Sequence, residues 1–309
     1  MLALTRVVVL GGIGAVLTGS ACAPHTGPPP PDAGHDVGGD APKVVCDRAM
    51  RFQDPELVGV QVGVGPNLGA RLSADEREMF FTALVMNGFQ VFHAVRTSTT
   101  GPFGTAQQLA LAMDETFAPS LGRDGRTLYF QRGAYAARIQ VTSRTDRYSA
   151  FGVPADVSGV RDGLSDPTVF DGQPFVTQDN GYLYFYSTRT GNGDIFRAPV
   201  LGPSSVGVVE PLAELNTDAV EVFATVSADG LTVYFGSNRL GGLGGLDIWR
   251  ASRASVVQPF GTPATVDELN TSGDDVPTWL SADECTLLLF RRTGLQTEQL
   301  WYARRALTK

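Results

Sequence analysis

The chain has 309 residues, 43% hydrophobic and 18% charged, which suits a packed core in one large or two ordinary domains. A formal net charge of −8 and an isoelectric point near 4.9, with no Lys/Arg run, exclude a nucleic-acid face, which needs dense positive charge. Thirty-six glycines and nineteen prolines without low complexity point to many turns and short strands, an all-β composition.

In chain order, Arg6 precedes the apolar segment 7–17, too short to span a bilayer, and Gly19, Ser20 and Ala21 lead into Cys22. Residues 1–21 resemble a bacterial lipoprotein signal peptide. The resemblance implies a diacylglyceryl anchor on Cys22 as the mature N-terminus, and Ala23 resembles the position that directs lipoproteins to the outer membrane. Plain secretion after cleavage nearby is the alternative. Both export the chain, the first to the periplasmic or surface face of the envelope, held by acyl chains contributing about 0.8 kcal/mol per buried CH₂. Residues 22–45, with Pro28 to Pro31 and no apolar period, read as a disordered tether. His25 and His35 lie in it, and two isolated histidines in such a linker are read as incidental.

Residues 46–309 repeat, with marker aspartates Asp75, Asp124, Asp179, Asp229 and Asp283 spaced 49, 55, 50 and 54 residues apart. Such a period signals a propeller or another array. Four residues after each marker an apolar triplet begins: Met79-Phe80-Phe81, Leu128-Tyr129-Phe130, Leu183-Tyr184-Phe185, Val233-Tyr234-Phe235 and Leu287-Leu288-Leu289. These are buried strands entered from tight turns. A second run follows in each copy, at Val91, Ile139, Ile195, Ile248 and Leu300. A Pro-flanked outer segment comes next, such as Phe151 to Pro154 or Phe260 to Pro263, where a missing N–H leaves no ladder bond unmade. Four strands per copy predict a five-bladed all-β propeller.

Residues 52–62 read as an outermost strand with no blade before them, and the last copy ends near Leu307 without one. The two termini are therefore expected to share one blade, which removes a free sheet edge. Cys46 lies just before that strand and Cys285 in the last copy, so export permits a Cys46–Cys285 disulfide worth about 5 kcal/mol as an upper value. Two free buried thiols are the alternative.

The grammar Ser-Ala-Asp-Gly, then Val-Tyr-Phe, Ser237-Asn238-Arg239 and Asp247-Ile248-Trp249 resembles the WD40-like repeat of TolB-type β-propellers over about residues 52–305. The chain departs from it at Glu76 and Arg138, and has five copies where TolB has six. The resemblance implies an envelope location and protein–protein contacts rather than one reaction. Ser237, Arg239, Asp247, Asp229 and Gly230 are read as internal hydrogen-bonding residues of the motif.

Eight residues before each marker stands a polar residue: Asn67, Thr116, Asp171, Glu221 and Asp275, with Glu115, Asp166, Asp218 and Asp274 nearby in sequence. If these converge on one channel mouth, their like charges demand a cation. This ring is the candidate site for an envelope protein or a cationic peptide segment, with Ca²⁺ through hard oxygens possible; the plainer reading is that the side chains only cap strand entrances. A third reading is a glycan-binding or glycoside-hydrolase-like propeller, with Asp171, Glu221 and Asp275 as carboxylates and Phe117, Phe223 or Trp279 as a sugar platform. No motif selects an acid or nucleophile among them, so no catalytic residue and no enzyme activity is assigned. No resident cofactor or metal is expected either, since zinc spacing and a nucleophile elbow are absent. His93 is read as a surface strand residue and Gly241 to Gly245 as a flexible turn without phosphate-loop chemistry.

Overall fold

The computed structural model describes residues 46–307 except 61, 63–65, 112–113, 293 and 295–297. The expected signal peptide (1–21), Cys22, the expected tether (22–45) and His25 and His35 lie outside the described residues. Those described form twenty-one strands and no helix.

Five antiparallel sheets follow the repeat. The first comprises Asn67–Leu72, Glu78–Val85, Gly88–Val95 and Gln107–Gln108, and the second Thr116–Leu121, Thr127–Arg132, Arg138–Ser143 and Ala155–Asp156. The third comprises Asp171–Val176, Tyr182–Ser187, Asp194–Gly202 and Glu210–Pro211, plus a fifth strand, Ser205–Val206, folded back on the long third one. The fourth comprises Glu221–Val226, Thr232–Ser237, Asp247–Ser252 and Ala264–Thr265. The fifth takes Asp274–Leu280, Thr286–Arg292 and Glu298–Arg304 from the C-terminus and Glu56–Leu57 from the N-terminus.

The chain is a five-bladed β-propeller whose last blade is shared by both ends. Glu56 pairs with Tyr302 and Leu57 with Trp301, while Phe52 and Cys46 bridge Arg305 and Leu307 further out. The Cys46–Cys285 disulfide fastens this join, with Cα atoms 5.6 Å apart, inside the range a bridge tolerates.

The middle strand of each blade is buried on both sides, because each sheet stacks on its two neighbours. That is why the triplets are apolar without alternation. The core divides accordingly: separate clusters seal the first blade to the second, the second to the third, the third to the fourth and the fourth to the fifth. Phe81 and Phe92 meet Leu288, Phe290 and Tyr302 in a fifth cluster that closes the circle.

The outer strands are two residues long and begin after the prolines at 55, 154 and 263, not at the aromatic residues before them. Proline supplies no ladder donor, so pairing starts only beyond it. Four of the five hairpins are built by a Ser/Thr-x-Asp grammar, the second having Gly122 in place of the hydroxyl residue. In the fourth blade Ser227 Oγ donates to Asp229 Oδ1 at 2.6 Å and accepts from Thr232 N, while Leu231 N donates to the same aspartate. The residue after the marker is left-handed in all five copies, including Glu76 at φ 57° and Glu284 at φ 61°. The departure at Glu76 therefore leaves the turn type intact.

Candidate functional site

Each inner strand starts at one end of the channel, and antiparallel pairing brings the turn between the second and third strands to that same end. This upper face carries the polar ring. The hairpin that follows each inner strand lies at the opposite, lower face.

The three ring carboxylates have no exposed side-chain surface, and each is paired within the protein. Asp171 receives Arg161 at 2.6 Å and Arg189 at 2.7 Å. Glu221 receives Arg239 at 2.9 Å, together with Ser237 Oγ and both the N–H and Oγ of Thr217. Asp275 receives Arg291 at 2.5 Å and the N–H and Oγ of Thr271. The other two ring members bond within the protein: Thr116 Oγ1 accepts from Val91 N and donates to Gln90 Oε1 of the first blade, and Asn67 Oδ1 accepts from Val62 N in the segment before its strand.

The positive charge that the three ring carboxylates would demand is thus supplied by arginines of the protein itself. Arg189 and Arg239 are the Ser-x-Arg residues of the repeat, a motif that the sequence assigns to internal bonding without linking it to the ring, while Arg291 stands at the serine's register position and Arg161 in the connection before the third blade. Their flat faces finish the arrangement: Arg239 lies over Phe235 and Trp249 at 4.9 and 5.2 Å, and Arg189 over Phe185 and Phe196 at 5.2 and 4.9 Å. With these oxygens taken up, the ring does not fit Ca²⁺, and no group of three His, Cys, Asp or Glu side chains that could hold a metal occurs among the described residues.

The three candidate sugar-platform aromatics are not brought together. Phe117 packs on Phe89 at 5.1 Å. Phe223 crosses the channel, its ring 3.6 Å from where a Cβ on Gly69 would stand. Trp279 lies toward the lower face, among residues lining a cavity there.

No described protein family matches the sequence, and no curated protein does. Solved structures do. An endo-arabinase from Bacteroides thetaiotaomicron superposes with a TM-score of 0.57 at 15% identity, covering 84% of this chain and 98% of that one. An α-L-arabinofuranosidase from Podospora anserina gives 0.54 at 11% identity, over 85% and 97% of the two chains. TolB from Acinetobacter baumannii gives 0.48 at 16% identity, over 79% of this chain; the chain spans 56% of the length of that protein. The shared property is the fold.

Two further expectations are corrected. His93 is not a free surface residue: its ring stacks on Phe80 at 4.5 Å and its Nε2 lies 2.9 Å from buried Glu78, which also takes Arg144 at 2.8 Å and Arg147 at 3.1 Å. Burial pushes the Glu78 carboxyl up, but the bonds from His93 and Arg144 outweigh it and hold it below the ordinary range. The cluster locks the first blade to the second. Likewise Gly241 to Gly245 is a pinned loop rather than a flexible one. Gly245 N donates to Gly273 O, Leu246 N to Asp274 Oδ1 and Gly244 N to Asp247 Oδ2. A Cβ on Gly244 would fall on the carbonyls of Gly273 and Thr271, so glycine is required for the close approach to the fifth blade.

Proposed function

We propose that the chain is an exported, lipid-anchored propeller that binds an envelope protein through its upper face and performs no catalysis of its own. The observation that carries this reading is the pinned glycine loop, which presents Leu240 and Leu243 with 99% and 64% of their surface exposed. Met86 and Tyr135 stand exposed on the corresponding turns of the first and second blades, so the same face offers apolar side chains from three blades. Apolar groups on a loop already fixed by backbone hydrogen bonds lose little freedom on binding, and each leucine buried contributes about 1.5–3 kcal/mol. The ring beneath is the foundation of this face: its ion pairs set where the turns stand. Export and acylation rest on the signal-peptide resemblance at Cys22.

Glycan hydrolysis would need two carboxylates within reach of a glycosidic bond. Asp171, Glu221 and Asp275 instead spend their oxygens on arginine with no exposed surface.

The test is cross-linking and purification of the full-length protein from membranes, with Leu240→Ser plus Leu243→Ser as the variant. The wild type is expected to retain a discrete envelope protein. The variant should recover at least tenfold less at an unchanged melting temperature, and neither should release sugar from a polysaccharide panel. Equal recovery by the variant, or sugar release that disappears in Glu221→Gln, would overturn the reading.

A further inference from the structure

Four residues beyond the ring, the inner strands of the five blades carry Arg71, Ser120, Phe175, Thr225 and Trp279. This layer lies toward the lower face, and one member of it contrasts with the ring above. The arginines of the ring each meet a carboxylate, whereas Arg71 is 2% exposed and its Nε, Nη1 and Nη2 have no hydrogen-bond partner. Its guanidinium has one face covered, by the Phe175 ring with the carbon 4.8 Å from the centroid. The edge that carries the donors is left unanswered.

Beside Arg71 is a cavity of about 40 Å³, walled by Ser120, Phe175 and Trp279 from three other blades. Its mouth is ringed by hairpin residues, of which Ala74, Arg123 and Ala282 are exposed. Gln178 reaches across this opening, its Nε2 3.5 Å from Leu280 O. Ser120 Oγ accepts from Val176 N, which leaves its hydroxyl hydrogen to donate. Thr225 Oγ1, at the same level on the fourth blade, is also buried without a partner. Among the residues lining the mouth Arg123 carries a charge, and its field reaches Asp179 on the next hairpin.

We propose that this chamber is a carboxylate-binding site, in which the guanidinium of Arg71 receives a monoanionic carboxylate entering from the hairpin face. Three properties select that chemistry. A guanidinium with one face stacked offers its edge donors in a fork that matches a planar carboxylate. The free space holds only a few water molecules' worth of matter, enough for a carboxylate head whose remainder leads out past Arg123. The single cation inside is neutralised by one negative charge, whereas a dianion would leave an uncompensated charge in an apolar layer. Burial pushes Arg71 down to about 9, so it is still cationic at neutral pH and loses most by standing alone. The site faces away from the apolar turns of the upper face and does not depend on them.

The carboxylate can belong to a small free acid or to the C-terminus of an extended peptide, and the experiment separates these. Full-length protein is titrated at fixed ionic strength with acetate, with chloride or sulfate as controls, and with a short peptide bearing a free or an amidated C-terminus. The readout is tryptophan fluorescence, since Trp279 is a wall of the chamber; Trp279→Phe identifies its share of the signal. Acetate and the free-acid peptide should give a saturable change, with chloride and sulfate at least tenfold weaker. A peptide binding tenfold or more tighter than acetate, and lost on amidation, assigns a chain terminus; equal affinities assign a small acid.

Arg71→Met should abolish the response, and Arg71→Lys should weaken it at least tenfold, because an ammonium lacks the fork. Both variants are checked for a wild-type circular-dichroism spectrum. A folded Arg71→Met that responds as the wild type does, or a wild type blind to every carboxylate, would overturn the proposal.

Discussion

Removing the Cys46–Cys285 bridge measures what ring closure contributes. The two cysteines are 239 residues apart, so on loop-closure entropy alone the bridge disfavours the unfolded chain by ~5 kcal/mol at most. For a domain of this size that corresponds to a fall in melting temperature of about 10–20 °C. The native join has other holds: the Glu56–Leu57 pairing with Trp301 and Tyr302, Phe52 edge-on to Tyr234 at 6.2 Å, and Arg48 paired with Glu284 at 3.1 Å. The folded state of Cys46→Ala plus Cys285→Ala should therefore keep its β-signal, and the loss should appear in the denatured state. Urea titration separates the two: the midpoint drops while the m-value rises, because the open chain exposes more surface than the looped one. An unchanged midpoint would refute the argument. So would β-signal lost before global unfolding, which would place the effect in a frayed native edge.

Arg239→Met should destabilise the protein by about 3–5 kcal/mol in urea titration, since it strands buried Glu221, whereas Glu221→Leu with Arg239→Met should cost less. A double variant no more stable than the single one would deny that the pair is an internal unit. Acid should act through the hairpin aspartates. Burial raises Asp75, Asp124, Asp179 and Asp229, but hydrogen bonds from neighbouring hydroxyl and backbone donors outweigh it and hold all four below the ordinary range. Their contribution is complete above the unfolded-state value near 4 and is lost as pH falls through the folded values. Burial shifts Glu76 and Glu284 the opposite way, so their penalty is relieved as pH falls through their folded values. A decline in stability below about pH 4 is expected, and Asp124→Asn should flatten the acid limb. Finally, Cys22→Ser should abolish incorporation of labelled fatty acid and release the protein from membranes; labelling that persists in this variant would place any acyl group elsewhere.

The architecture was legible because what encodes it is local and repeated. An aspartate turn followed four residues on by an apolar triplet reads as a hairpin into a buried strand wherever it stands, and five such readings at near-equal spacing leave little but a closed circle. The shared last blade was legible from the phase of the repeat, and the disulfide from which cysteines flank that phase. The outer strands were misplaced by a few residues because Phe260 and Pro263 share one segment and only the proline sets where pairing can begin. The charge state of the ring was not legible. Asp171 and Glu221 are each answered by an arginine eighteen residues on, at the far side of a hairpin whose register alone brings them together.

The isolation of Arg71 was still further from view, although its position in the repeat was in plain sight. A single blade shows an arginine on an inner strand and nothing more. Its meaning comes from four other blades offering serine, phenylalanine, threonine and tryptophan at the same level, none able to return a negative charge. In a propeller every inner-strand position is multiplied into a layer, so the residues that answer a given side chain stand in the corresponding positions of the other repeats. The upper layer holds three carboxylates, each with its arginine, and asks for nothing; the lower layer holds one arginine without a carboxylate. That asymmetry leaves a buried guanidinium without a carboxylate on the hairpin side, a positive charge where net charge and a count of acidic ring residues suggest a negative one.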